Sequence, residues 1–206
     1  MDSYKTIERQ ACEEFTEKRS RFIAEVKPIE SEKEAIEFIN TKKEKFWDAR
    51  HNVYAYILRE NNIMRYSDDG EPQGTAGMPS LDVLKKNEVC NVVVVVTRYF
   101  GGILLGTGGL VRAYSHSVKL ALDSAGIIVM KKCSILSFEC EYSEYGKIKA
   151  LISSGNTKIL DENFLSRVSV RCCVVLDEKQ KLIKELSEIT SGKINVVDNG
   201  EEYFQL

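Results

Sequence analysis

The sequence contains few of the residues that hold metal ions. It has only two histidines, and none of its six cysteines belongs to a CxxC pair, the spacing that structural zinc sites usually show. A zinc knuckle is therefore not expected, and we expect neither a metal ion nor another cofactor. Unpaired thiols in a chain of this size fit a reducing compartment.

The sequence also lacks a long apolar segment. Its longest apolar run, the five valines of residues 92–96, is far shorter than the roughly 20 residues that a transmembrane helix needs. The first 15 residues, MDSYKTIERQACEEF, carry charges throughout instead of the apolar centre of a signal peptide. We therefore expect a cytoplasmic protein without a membrane partner.

Charge of one sign is not in excess either. The formal net charge is −2, with 43% hydrophobic and 29% charged residues, which is ordinary globular usage and excludes a strongly basic nucleic-acid protein. A local basic patch is compatible with these totals, because the electrostatic field at the surface depends on where the charged side chains lie. A length of 206 residues predicts two compact domains.

The second half of the chain alternates between strand and helix patterns. A pair of lysines, Lys131 and Lys132, separates two apolar stretches, which predicts domains of residues 1–131 and 132–206. The later segments predict the order β-α-β-β-α-β of a ferredoxin-like domain; they are SILSFECEY, SEYGKIKALISSG, TKILDENF, SRVSVRCCVVL, DEKQKLIKELSEITSG and KINVVD.

The first half mixes strands and helices, so that the fold class is α+β. Ser31 is a candidate N-cap for an amphipathic helix, and the continuous valine run predicts a strand that is covered on both faces. Apolar positions from Leu110 onward trace a helix face that Gly126 ends. The predicted order is βαβ-β-α-βα, beginning with a strand at residues 21–26.

A glycine-rich turn, RYFGGILLGTGG, joins the valine strand to this last helix. Backbone N–H groups and the helix dipole at such a turn favour an anion. Thr107 stands where a P-loop needs lysine, and Val111 stands where a dinucleotide fold needs glycine or alanine, so an ATPase or a Rossmann dehydrogenase is not expected. Arg98 and Arg112 flank the turn, and a cation early in a helix opposes the dipole unless an anion or an acidic neighbour is present. The alternative is a tight corner with solvated charges.

Two other loops carry candidate chemistry. DARHN places His51 just before a strand, and SDDGEPQGTAGMP places Asp68 and Asp69 among glycines and prolines. Paired carboxylates with a histidine could bind Mg²⁺ or perform acid–base catalysis. Asp-Asp-Gly is also ordinary turn chemistry, so both interpretations stay open.

Together, DARHN, SDDGEPQGTAGMP and RYFGG followed by LGTGGLVRAY resemble the signature segments of the YigZ/IMPACT family. The resemblance covers essentially the whole chain. It implies an N-terminal domain like the second domain of ribosomal protein S-five and domain IV of elongation factor G. It also implies a ferredoxin-like C-terminal domain similar to domain V of that factor. Eukaryotic members regulate translation with a different partner domain, so their mechanism does not transfer.

The resemblance and the basic turn favour a non-catalytic regulator of translation that binds RNA, the ribosome or a translation-associated protein. The alternative is a hydrolase or phosphate-handling enzyme that uses Asp68, Asp69 and His51. The candidate anion- or RNA-binding residues are Arg50, His51, Arg98, Tyr99, Gly101, Gly102, Gly106, Gly108, Gly109 and Arg112.

Overall fold

A computed structural model describes residues 3–206 and confirms the α+β class, with five α-helices and two antiparallel sheets in that range. The chain divides into two compact units, Tyr4–Ile128 and Val129–Leu206. The division falls three residues before the one that the lysine pair suggests. The first two residues of the N-terminal segment lie outside the described range.

The N-terminal unit contains six strands and three helices. Its sheet has the order β2-β3-β6-β4-β5, with every pair antiparallel. The strands are β1 (Ser3–Ile7), β2 (Ala11–Glu17), β3 (Ser20–Pro28), β4 (His51–Leu58), β5 (Ile63–Ser67) and β6 (Val92–Tyr99), and the helices are α1 (Glu32–Lys45), α2 (Gly77–Lys86) and α3 (Thr107–Ala125).

The strands β1 and β2 are absent from the predicted order. The sequence of β2, ACEEFTE, alternates only weakly in hydrophobicity, because β2 is an edge strand with largely exposed side chains. Its backbone pairs with β3 along its whole length. The order that the sequence predicts for this unit is therefore incomplete by two strands.

The central strand β6 is buried on both faces, as its continuous valine run predicts. Val93 and Val95 pack with α1, including Phe38 and Ile39. The alternate valines face α2 and α3. Full burial of each such side chain contributes about 1.5–3 kcal/mol, so β6 fixes the centre of the unit.

Two helix ends agree with the sequence. The Ser31 Oγ accepts a hydrogen bond from the Glu34 backbone N–H at 3.3 Å and caps α1. Gly126 ends α3 with a φ of 73°, and its N–H bonds to the Leu122 carbonyl. The buried face of α3 includes Leu110, Tyr114, Val118, Ala121, Leu122 and Ala125, which confirms the predicted amphipathic pattern.

The C-terminal unit has the predicted β-α-β-β-α-β order. Its strand β8 pairs with β9, β9 pairs with β7, and β10 also pairs with β7, each time antiparallel. The elements are β7 (Ile127–Cys140), α4 (Tyr142–Ser153), β8 (Thr157–Phe164), β9 (Val168–Val175), α5 (Lys179–Ile189) and β10 (Val197–Phe204).

The position predicted for the last strand, KINVVD, is wrong in most of its length. Ile194 and Val196 instead pack, partly buried, against the core formed by the sheet and its helices. The strand begins at Val197 and carries mostly exposed polar side chains. Its pairing with β7 comes from backbone hydrogen bonds, which a hydrophobic pattern does not report.

Candidate functional site

The glycine-rich turn packs directly on the β2–β3 hairpin. A Cβ atom at Gly101 would lie 2.0 Å from the carbonyl carbon and oxygen of Arg19, so only glycine allows this approach. The Gly101 N–H donates to the Ser20 Oγ at 3.3 Å. Gly102 and Gly106 have φ values of 82° and 73°, which glycine adopts readily. The turn therefore holds two loops of the N-terminal unit together.

The helix α3 begins directly after this turn without a side-chain cap. Gly106 is the N-cap residue, and no acidic residue stands in the first helical turn. Arg112 is exposed, and its Nη1 lies 3.8 Å from the position that a Cβ of Gly108 would occupy. The guanidinium therefore folds back over the first turn of the helix, as long helical side chains do.

Arg98, in contrast, is a buried residue. Its Nη1 donates to Glu71 Oε1 at 2.6 Å and its Nη2 to Ser20 Oγ at 3.3 Å. Its guanidinium also lies over the rings of Phe22 and Phe100, at 5.4 and 5.6 Å from their centroids. Only 6% of the Arg98 side chain is exposed, so this arginine cannot reach an external phosphate without breaking the ion pair.

Glu71 is the centre of this buried network. The same Oε1 atom accepts the Tyr114 hydroxyl at 2.8 Å and lies 3.8 Å from His51 Nε2. Burial and, second, the Glu71 carboxylate raise the pKa of Tyr114, so that its hydroxyl remains protonated as a donor. His51 Nδ1 lies 2.8 Å from the Asp69 carbonyl, which only accepts, so that nitrogen carries the proton.

The two aspartates of the acidic loop have structural partners. The Asp68 carboxylate accepts the backbone N–H groups of Gly74, Ala76 and Gly77 at 2.8–3.1 Å, and it thereby satisfies the start of α2. The Asp69 carboxylate accepts the Asn52 N–H at 2.6 Å and pairs with Lys43 at 2.9 Å. Across residues 3–206, three or more His, Cys, Asp or Glu side chains do not gather in a metal-binding arrangement.

The exposed candidates lie around the turn. The Arg50 guanidinium carbon lies over the Phe100 ring, 5.7 Å from its centroid, and the Tyr99 hydroxyl donates to Asp48 at 2.8 Å. Gly101 lies against the backbone of the β2–β3 turn, and Lys18 of that turn lines one groove together with Arg112. We therefore group the exposed side chains around these two turns. We call this surface the glycine-loop face; its members are Lys18, Arg19, Arg50, Phe100, Leu104 and Arg112.

The predicted site residues thus separate into two groups. Arg50, Tyr99, Arg112 and the glycines lie at or near the surface, whereas His51 and Arg98 are buried together with Glu71. Sequence reasoning missed Glu71 as the partner of Arg98 and missed the basic hairpin turn. A Lys-Arg pair between two strand-like segments was the only local signal for that turn.

Sequence models of two domain families match the chain. The Impact N-terminal domain matches residues 18–122, and a domain of unknown function (DUF1949) matches residues 138–193. The chain is 36% identical over 206 residues to "IMPACT family member YvyE" of Bacillus subtilis (strain 168), covering all of this chain and 95% of the relative. It is 32% identical to "IMPACT family member YigZ" of Escherichia coli (strain K12), covering 87% and 90% of the two chains.

A solved structure, "Crystal structure of an hypothetical protein", matches nearly the whole chain as well. It aligns with a TM-score of 0.62 at 30% identity over 98% of this chain and 100% of that one. Within residues 3–206, every helix is too short or too polar to cross a membrane.

Proposed function

The chain belongs to the IMPACT family, and from this premise we propose that it is a non-catalytic regulator of translation that binds RNA, alone or on the ribosome, through the glycine-loop face. The family resemblance implies domains similar to those of a ribosome-bound factor, and this points to the same class of partner. The proposal depends most on one observation, the unbalanced positive charge of this face.

Four basic side chains of the face are exposed. Lys18, Arg19, Arg50 and Arg112 form no ion pair within the described part of the chain, although the whole protein is slightly acidic. Such an arrangement creates a local positive potential that attracts a polyanion. Each phosphate contact releases condensed counterions and adds to affinity.

Flat and apolar groups accompany the charges. The Arg50 guanidinium lies over the Phe100 ring, and Leu104 is 81% exposed. Unpaired bases stack on aromatic rings and on guanidinium planes, at about 1–3 kcal/mol per base. The combination favours RNA with unpaired bases over a uniform duplex.

Arg98 has a supporting role in this proposal. Its ion pair with Glu71 joins the acidic loop to β6, and its guanidinium lies against Phe100. Arg98 therefore positions the exposed ring without contacting the ligand itself.

The enzyme alternative has less support from the geometry. Hydrolysis at this loop would need a free carboxylate, but those of Asp68 and Asp69 accept backbone and lysine hydrogen bonds. The free imidazole nitrogen of His51 faces Glu71 inside the protein.

A protein partner is the second candidate, because Ile103 and Leu104 expose 42% and 81% of their surface.

The test is binding to purified ribosomes and to RNA hairpins with unpaired loops, measured between low and high salt. Four phosphate contacts predict a slope of about −2.8 for the logarithm of the affinity against the logarithm of the salt concentration. Replacing both Arg50 and Arg112 by alanine should reduce that slope by about 1.4. Lys119→Ala is the matched control, because Lys119 lies on α3 and pairs with Asp123.

Salt-independent binding, or binding that the double variant leaves unchanged, would contradict the proposal. Ribosome binding that Leu104→Ser abolishes while the double variant of Arg50 and Arg112 retains it would favour the protein partner.

A further inference from the structure

A groove of about 270 Å³ lies between the β2–β3 hairpin and α3, inside the N-terminal unit. Apolar groups form part of its wall and three potentially cationic side chains line it. Its lining residues are Phe15, Glu17, Lys18, Leu105, Gly109, Arg112, Ala113 and His116. Its size is slightly below that of common small-molecule sites, about 300–1,000 Å³, and larger than a bare phosphate needs.

The charges of the groove are not balanced. Lys18 and Arg112 have no hydrogen-bond or ion-pair partner among residues 3–206, and neither does Glu17, the one carboxylate of the groove. The His116 ring stands edge-on to Phe15 at 4.9 Å and offers its nitrogens without a protein partner in the described range. Two cations and an imidazole against one carboxylate favour an anion.

The backbone of the hairpin keeps Lys18 at the groove at a conformational cost. Lys18 and Arg19 have φ values of 45° and 66°, and they connect Glu17 and Ser20, which pair across the hairpin. A two-residue turn with both φ values positive strongly prefers Asn-Gly. Two long basic residues at these positions are strained, which is typical of sites retained for binding.

The opposite wall of the groove is kept open by small residues. Gly109 has no side chain, and a Cβ there would lie 3.0 Å from the Leu105 Cβ. Ala113 follows one turn later on the same helix. A ligand can therefore approach the helix backbone closely between Lys18 and Arg112.

We propose that this groove binds the phosphate ester of a nucleotide, with the phosphate between Lys18 and Arg112 and the sugar against Phe15 and His116. A free mononucleotide and a nucleotide of an RNA chain have this chemistry in common. The inference shares Lys18 and Arg112 with the proposed function, but it does not need a polynucleotide, because a free nucleotide would occupy the groove even if RNA binding failed.

The two histidines allow a direct test by NMR of the intact protein. His116 lines the groove, whereas His51 is buried and bonded to Asp69, so that His51 serves as an internal reference. Adenosine monophosphate, adenosine and a short RNA hairpin are the probes. We expect the His116 signals to shift saturably with the phosphorylated probes and not with adenosine, while those of His51 stay in place.

Two variants separate binding from folding. Lys18→Asn combined with Arg19→Gly relieves the strained turn, so we expect a higher melting temperature together with about tenfold weaker binding. Arg112→Gln should weaken binding to a similar extent, and Lys119→Ala should leave it unchanged, because Lys119 pairs with Asp123.

The outcomes distinguish this inference from the proposed function. If neither the monophosphate nor RNA moves His116, or if the groove variants bind as tightly as the natural chain, the inference is overturned, even where RNA still binds elsewhere. A response to the monophosphate alone supports the groove and excludes RNA from it, while RNA binding elsewhere on the glycine-loop face is decided by the salt-dependence experiment. A response to RNA alone assigns the phosphate to a polynucleotide.

Discussion

Replacing Arg98 by alanine tests whether this arginine stabilises the fold or contacts a ligand. The substitution leaves the Glu71 carboxylate, only 3% exposed, without its ion-pair partner. The Tyr114 hydroxyl would remain as its donor, and His51 Nε2 lies 3.8 Å away. Removal of the guanidinium would also leave a cavity beside the rings of Phe22 and Phe100, which it contacts.

Breaking a buried ion pair by removing one partner costs about 3–5 kcal/mol. Two features change this figure in opposite directions. The Tyr114 hydroxyl still donates to Glu71 and offsets part of the loss, whereas lost guanidinium–ring contacts add about 0.5–1 kcal/mol. We therefore expect Arg98→Ala to lower the free energy of unfolding of the N-terminal unit by about 3–4 kcal/mol.

Native-state hydrogen exchange can measure this loss in each unit separately. Amides of Val94 and Val96, in the buried strand β6, report on the N-terminal unit, and those of Val170 and Val174, in β9, serve as the internal control. The double variant Arg98→Met with Glu71→Gln removes both charges and should recover most of the stability, because no unpaired charge stays buried.

One result would refute this reasoning. If Arg98→Ala lowers the opening free energy at Val94 and Val96 by less than about 1 kcal/mol and instead abolishes RNA binding, Arg98 is a ligand contact. The threshold follows from the loss expected for a neutral hydrogen bond alone, about 1 kcal/mol.

Three further predictions concern other parts of the chain. Gly101→Ala should unfold or rearrange the glycine turn, since the new Cβ would lie 2.0 Å from the Arg19 backbone. Gly102 has open space around it, so Gly102→Ala should cost only about 1 kcal/mol of backbone strain. Equal losses of melting temperature in the two variants would contradict this. Asp68→Ala leaves three backbone N–H groups without their acceptor and should cost about 1–3 kcal/mol in denaturant unfolding, with Asp68→Asn as the milder control. Burial raises the pKa of the Cys172 thiol to about 12, so its contribution to stability is present below pH 9 and lost towards pH 12. The free energy of unfolding should therefore fall less between pH 9 and pH 12 in Cys172→Ala than in the natural chain. An identical pH profile of the two proteins would count against the assignment.

Local sequence patterns predicted much of this fold. The valines of β6, the apolar stripe of α3 and the β-α-β-β-α-β rhythm of the C-terminal unit were all predicted, because burial repeats with the period of each element. The motifs around the glycine turn also led to the family, which the comparisons confirm. By contrast, β2 and β10 have mostly polar, exposed side chains and pair through their backbones, so hydrophobic periodicity did not report them correctly.

The sequence by itself determined the fold class and the family, and it predicted the neighbourhood of the candidate site, since helix caps, turns and apolar periods depend on nearby residues. Only the tertiary structure decided which arginines face the solvent. Arg98 and Arg112 flank the same turn, yet Arg98 meets Glu71, 27 positions earlier in the chain, and is buried. Arg112 meets no acid within residues 3–206 and remains exposed beside Lys18. Whether a charge is neutralised inside a protein depends on a partner distant in sequence, and the fold alone supplies that partner.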